Sequence, residues 1–310
     1  MKAEQLGFEG MPRRLYTCTP SRLNAWLDCP RRYRMTYLDR PMPPKGPPWA
    51  HNSVGTSIHN ALAGWWRLPV AERTPEAAGR LVVRGWLTDG FRDEAQSARW
   101  RDRARAMTER YVAGLDPSDE PVGVERTVAT RTDRIAVSGR IDRLDARGDE
   151  LAVVDYKTGR HVPGPDDARG SLALALYAVA ASRVLRRPCR RVELHHVPSG
   201  RVAAWDHTEE SLARHLRRAE AIAAEAAAAD EGYRARAGDG GDRARVPKPR
   251  PGEGEPVTVD HAPHDELFPP RPGAQCSWCD FARHCPEGRD AAPRKEPWAA
   301  LPADEDPVDA

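Results

Sequence analysis

Two aspartates and a lysine carry the most pointed chemistry in this sequence. They stand in Gly139-Arg140-Ile141-Asp142-Arg143-Leu144-Asp145 and in Val153-Val154-Asp155-Tyr156-Lys157-Thr158-Gly159. The Arg147-Gly148-Asp149 stretch between them predicts a hairpin turn, with Asp142 six residues before Gly148 and Asp155 seven after it. The two carboxylates then become cross-strand neighbours, roughly 5–8 Å apart if they share a face. At that separation they can hold a magnesium or manganese ion, because hard cations take oxygen ligands. Side chains alternate along a strand, so Asp155 and Lys157 share a side. A lysine there can orient or deprotonate an attacking water, or stabilise charge on a scissile phosphate. The backbone carbonyl of Tyr156 lies between them as a further oxygen donor. Taken singly, an Asp-x-Lys on a strand is equally an exposed ion pair of negligible energy. The combination of positions is what points to catalysis.

The two segments resemble motifs of the RecB-like PD-(D/E)XK nucleases, a superfamily that includes the C-terminal nuclease domains of RecB and AddB and CRISPR-associated exonuclease relatives. The run from Ser21-Arg22-Leu23 to Cys29-Pro30-Arg31-Arg32-Tyr33 is similar to the family's first motif, and Gly55-Thr56-Ser57-Ile58-His59 to its helix bearing a metal-ligand histidine. The resemblance implies an α/β fold, with a restriction-endonuclease-like core sheet flanked by helices. It implies hydrolysis of phosphodiester bonds in DNA with Mg2+ or Mn2+, as an exonuclease acting on single-stranded or duplex ends in repair or recombination. His59, Asp142, Asp155 and the Tyr156 carbonyl would then bind metal, and Lys157 would assist the attacking water. Glu125, on the preceding strand, matches an acidic residue often found there, and is equally an exposed strand glutamate. Relatives commonly carry a glutamine four residues before a tyrosine on the helix after the lysine. Here the tyrosine is Tyr177 and the glutamine position is Ala173, so Tyr177 either positions DNA or belongs to the core.

Cys276-x2-Cys279-x5-Cys285, with Cys29 far upstream, has the arrangement of a cluster-binding subset of that family. Four thiolates can surround a [4Fe–4S] cluster, and they also suit Zn2+. The resemblance favours iron. Ligation by Cys29 would close a very long loop and clasp the two ends of the chain together. Cys18 and Cys189 have no partners at suitable spacing and read as ordinary thiols.

These residues need elements to position them. Residues 1–14 read as a flexible arm and 15–115 as a helical N-terminal region carrying Cys29 and His59. Within it Thr19-Pro20 and Thr74-Pro75 mark helix starts, a helix with His59 follows Gly55, and another ends near Gly114. From Pro121 the pattern turns to strands: 121–130, 134–146 and 150–157, then a helix at about 170–187, strands 191–197 and 201–205, and a helix capped by Thr208. Residues 116–230 therefore read as the nuclease core, 231–265 as a linker, 266–288 as the cysteine segment and 289–310 as a disordered tail.

Charge does not announce a nucleic-acid partner. The 48 basic and 46 acidic residues leave a formal charge of +2, so any basic footprint is local. Only five of the basic residues are lysines. That makes Lys157 less incidental, while arginine's planar fork suits phosphate. No apolar run approaches the roughly 18 residues that span a bilayer, no secretory signal is evident, and six cysteines are too sparse for a disulfide scaffold. A cytoplasmic protein with no membrane partner is expected. No Gly-x4-Gly-Lys-Ser/Thr loop is present, so any DNA unwinding would fall to a separate helicase. The alternatives are a DNA-binding adaptor that keeps the fold without useful hydrolysis, and a zinc-stabilised interaction module.

Overall fold

The computed structural model describes residues 15–239 and 266–301. The expected arm at 1–14, most of the expected linker (240–265) and the chain beyond 301 lie outside the described residues.

Local chemistry starts two helices where the sequence predicts, at Thr19-Pro20 and Thr74-Pro75. Thr19 accepts a hydrogen bond from the Arg22 amide and opens α1 (Pro20–Asp28); Cys29 closes it and opens α2 (Pro30–Tyr37). Thr74 caps α4 (Pro75–Arg84), and Asp93 caps α5 (Glu94–Ala113) through the Gln96 amide at 2.7 Å. Between α2 and α4, α3 (Ala50–Trp66) carries His59. It begins five residues before the expected Gly55. That glycine serves packing instead, since a Cβ there would lie 3.1 Å from Thr158 Oγ1. Its absence lets the helix approach the end of the lysine-bearing strand.

The sheet has six strands. β1 (Tyr16–Cys18), inside the region expected to be helical, runs parallel to the start of β3 (Ile135–Arg147). β2 (Gly123–Arg131) is antiparallel to β3 along its other edge. β3 and β4 (Glu150–Lys157) form the expected hairpin, with Gly148 at φ +60 in the turn and rungs running from Arg147↔Glu150 to Arg143↔Val154. A crossover through α6 (Pro165–Gly170) and α7 (Leu172–Leu185) leads to β5 (Cys189–His196), parallel to β4. β6 (Arg201–Asp206) closes the sheet antiparallel to β5.

Strand alternation splits the core between the two faces. Val154 and Tyr156 face Ile58, Leu62, Trp65 and Trp66 of α3 and Tyr111 of α5. Leu144, Leu151 and Val153 face Leu174, Ala178 and Ala181 of α7. A third cluster joins α1 and α2 to α8 (Glu209–Asp239) and Phe268.

Two boundaries differ from expectation. α8 continues to Asp239, so 231–239 is helix and not linker. Tyr233 is one reason: it packs against the Phe268 ring at 6.0 Å and donates to Asp39 at 3.1 Å. Residues 289–301, expected to be disordered, complete α9 (Pro286–Ala291) and then return to α3. The Pro297 carbonyl accepts from the Ala50 amide, and Leu301 is buried in the α3 cluster beside Trp298.

Candidate active site

Continuing the hairpin register by one rung sets Asp142 opposite Asp155, and the next strand over contributes Glu125. In the β2–β3 ladder, Val124↔Arg143 and Arg126↔Ile141 leave Glu125 facing Asp142. Three carboxylates thus stand in a row across β2, β3 and β4. Glu125 is out of the regular ladder, with φ +51, a left-handed conformation that disfavours side chains by about 1–2 kcal/mol. The strain accompanies a carboxylate brought beside Asp142 and held by Arg140 Nε at 2.7 Å.

His59 reaches this row from α3. Its Nδ1 is 3.3 Å from Asp142 Oδ2, and ligand atoms of His59, Glu125 and Asp142 lie within 4.8 Å of one another. Burial alone would push the imidazole pKa down, but the Asp142 contact and the charges of Asp155 and Glu125 raise it. Asp142 Oδ2 also accepts from the Tyr156 amide at 2.9 Å, which ties β3 to β4 at the site.

Asp155 stands slightly apart. Its Oδ2 pairs with Lys157 Nζ at 2.5 Å, and is otherwise a buried oxygen with no well-oriented hydrogen-bond donor. Burial pushes its carboxyl pKa up, Lys157 opposes that, and Asp142 adds to it. Such crowding of carboxylates around an under-satisfied oxygen is what a divalent cation relieves, and one imidazole nitrogen with carboxylate oxygens is a donor set that magnesium or manganese accepts. The residues present therefore fit the ion.

Tyr177 packs with the core. Its ring packs on the α7 face of the sheet against Gly139, where a Cβ would come within 2.4 Å of the ring. Burial raises its hydroxyl pKa, and the charges of Asp155 and Asp142 raise it further, which places the hydroxyl beside the row.

His59, Glu125 and Asp142 line a cleft of about 1580 Å³ that also takes in residues of α3, α5 and the stretch 158–162 after β4. Arg110, Arg140 and Arg160 line it, as do Trp100, His51 and Trp278. Of these, Arg140 lies in a motif segment; the others were not singled out by spacing. Trp278 had a signal, since it sits inside the Cys276-x2-Cys279 loop.

The four predicted cysteines gather at one place. Burial raises the Cys279 thiol pKa, and the neighbouring Cys29 and Cys276 raise it further, which puts Cys29 beside residues far along the chain. The sulfurs of Cys276 and Cys285 flank Gly288, where a Cβ would meet them at 3.4 and 3.3 Å. Arg31, 4% exposed, donates to Cys285 Sγ at 3.7 Å and to Glu287 at 2.5 Å. Among the described residues no three of these sulfurs lie within 4.8 Å of one another. Cys18 and Cys189 are buried elsewhere, their thiol pKa values pushed up by burial to about 11 and about 12.

A sequence profile of the PD-(D/E)XK nuclease superfamily matches residues 17–286, and the chain belongs to that superfamily. Solved structures similar to it include a "putative exonuclease" from Eubacterium rectale, 9% identical over 75% of this chain and 88% of that one, with a TM-score of 0.43. Another is SSO0001, 13% identical over 90% of each chain, with a TM-score of 0.36. No curated protein matches the sequence significantly.

Proposed function

We propose that this protein is a Mg2+- or Mn2+-dependent deoxyribonuclease, working as an exonuclease on DNA ends in repair or recombination. The observation that carries the reading is the convergence of His59, Glu125 and Asp142 on the lining of an arginine-bearing cleft, with the Asp155–Lys157 pair on the strand next to Asp142. His59, Glu125, Asp142, Asp155 and the Tyr156 carbonyl would hold the ion. When bound, it supplies electrostatic stabilisation of the charge that develops on the phosphoryl oxygens. Lys157, as an ammonium held by Asp155, would orient the attacking water by donating to it and would share the charge that develops on the phosphoryl oxygens. Tyr177 would support the strand from the α7 side, against Gly139. Arg110, Arg140 and Arg160 supply phosphate contacts along the strand.

Cys29, Cys276, Cys279 and Cys285 would hold a [4Fe–4S] cluster that fastens the segment 266–288 onto the helical region 15–115, leaving 116–230 as the catalytic core. A separate helicase would supply any unwinding. No helix among the described residues is long and apolar enough to cross a membrane, and a cytoplasmic setting suits reduced thiols.

Anaerobically purified protein incubated with end-labelled single-stranded and duplex DNA tests the reading. Label should be released as short products only when Mn2+ or Mg2+ is present, while closed circular DNA stays intact. Nicking of the circle would overturn the exonuclease assignment. Absence of any metal-dependent cleavage would overturn the nuclease assignment.

A further inference from the structure

The cysteine segment does more than close the chain. Trp278, between Cys276 and Cys279, lines the same cleft as His59, Glu125 and Asp142. Its indole is half-buried and makes two T-shaped contacts: Trp49 meets it at 5.2 Å and 65°, and His51 at 5.6 Å and 89°. Trp49 is itself fixed, 6% exposed, with Nε1 donating to Asp280 Oδ1 at 2.9 Å. The Asp280 carbonyl in turn accepts from the Gly46 amide at 2.7 Å. Trp278 is thus a braced aromatic side chain on the wall of a cleft that His59, Glu125 and Asp142 also line.

Resting on the nuclease reading above, we propose that Trp278 is a base-stacking subsite for a single DNA strand. Aromatic rings in a cationic groove take up unpaired bases through their faces, independently of sequence, and Arg110, Arg140 and Arg160 supply the cations here. The spacing follows from α3. His51, which contacts Trp278, and His59, which contacts Asp142, are eight residues apart on that helix, about 12 Å at 1.5 Å per residue. At the stacked spacing of about 3.4 Å per nucleotide, the stacked base lies about three to four nucleotides from the phosphate at the row, and fewer in a stretched strand. A base-paired duplex cannot offer this face except at its end. The subsite therefore favours single strands or frayed termini. Because two cysteines flank Trp278, loss of whatever they ligate also loosens the subsite.

The test is an abasic scan under single-turnover conditions with Mn2+. Wild-type protein receives single-stranded oligonucleotides carrying one abasic site at successive distances from the cleaved bond. The expected result is a roughly ten-fold weaker half-saturation at one register within about four nucleotides of that bond, with the maximal rate unchanged. Trp278→Ala should show the same weakening on the intact strand, with no further loss at that register, while Trp278→Phe keeps most of the affinity. Iron content and thermal melting are read alongside. If Trp278→Ala fails to fold or loses its iron, Trp278→Phe and the wild-type scan decide. A flat scan with active wild-type protein, or Trp278→Ala saturating like wild type, overturns the subsite and leaves the nuclease reading standing. Wild-type protein that neither binds nor cleaves any strand overturns both.

Discussion

Replacing Arg143 by methionine removes a guanidinium that stands, 3% exposed, beside β4. Its Nε lies 2.9 Å from Asp145 Oδ1, its Nη2 donates to Asp145 Oδ2 at 3.0 Å, and its Nη1 donates to the Tyr156 hydroxyl at 3.3 Å. The same hydroxyl accepts from Trp66 Nε1 at 3.1 Å, and the guanidinium sits 5.0 Å over the Trp66 ring. Methionine keeps the length and loses the charge. Breaking a buried pair from one side costs about 3–5 kcal/mol, because the remaining charge is left without compensation. Asp145 retains Arg147 at 3.0 Å, which is 42% exposed and better hydrated, so the lower end applies: about 3 kcal/mol. Adding Asp145→Leu removes the stranded carboxylate and should recover about 2 kcal/mol of that loss. Urea denaturation of the three proteins, at unchanged m, reads both quantities. Tyr156 is flanked by Asp155 and Lys157, so Arg143→Met should also lower turnover. A cost under about 1 kcal/mol, or a double variant no more stable than the single one, would refute the view that this pair locks the strand.

Asp155→Ala and Lys157→Ala should each lower cleavage by about a hundred-fold or more while leaving the circular dichroism spectrum and the iron content intact; turnover near wild type removes them from the chemistry. Serine at Cys29, Cys276, Cys279 or Cys285 should bleach a brown protein and lower its melting temperature, whereas Cys18→Ser and Cys189→Ser keep both colour and iron; stoichiometric zinc without iron or acid-labile sulfide would disprove the cluster. Acid stability should depend on Glu193. Burial raises its pKa, but hydrogen bonds from His195 and Arg191 and the charge of Arg147 outweigh that and lower it from 4.5 to about 2. A depressed carboxylate pKa contributes stability above the unfolded value and loses it as pH falls through the folded one. The advantage of wild type over Glu193→Gln, up to about 3 kcal/mol, should therefore be full above pH 5 and shrink as pH approaches 2. A difference that does not change with pH would contradict it.

Strand alternation made the heart of the site legible. One turn glycine, Gly148, and the residue counts on either side of it set Asp142 against Asp155 before any coordinates, and the observed rungs agree. The pattern could not show that Glu125 leaves its ladder with a left-handed backbone to join His59 and Asp142, because that is a choice made by tertiary contacts and not by local propensity. Gly55 read as a helix start because glycine punctuates helices; it is instead a contact point with Thr158, which only the packed structure reveals. The segment 289–301 is charged and proline-bearing, the composition of a tail, yet Trp298 and Leu301 anchor it on the α3 cluster. Two apolar side chains are too weak a signal in a window of that polarity. Trp278 stands between two ligand candidates in the sequence, but its place in the cleft depends on a segment that comes to α3 from far along the chain.

A Mn2+ titration, followed by electron paramagnetic resonance, of metal-stripped wild-type protein and of Asp142→Asn tests the central claim most directly. Asp142 touches His59, shares the cluster with Glu125 and faces Asp155, so no other residue meets so many of the proposed ligands. Wild-type protein should bind Mn2+ at a saturable site, and Asp142→Asn should weaken that binding by about ten-fold or more while keeping its fold. Equal Mn2+ binding by the two proteins would contradict the assignment of the carboxylate row as a metal site.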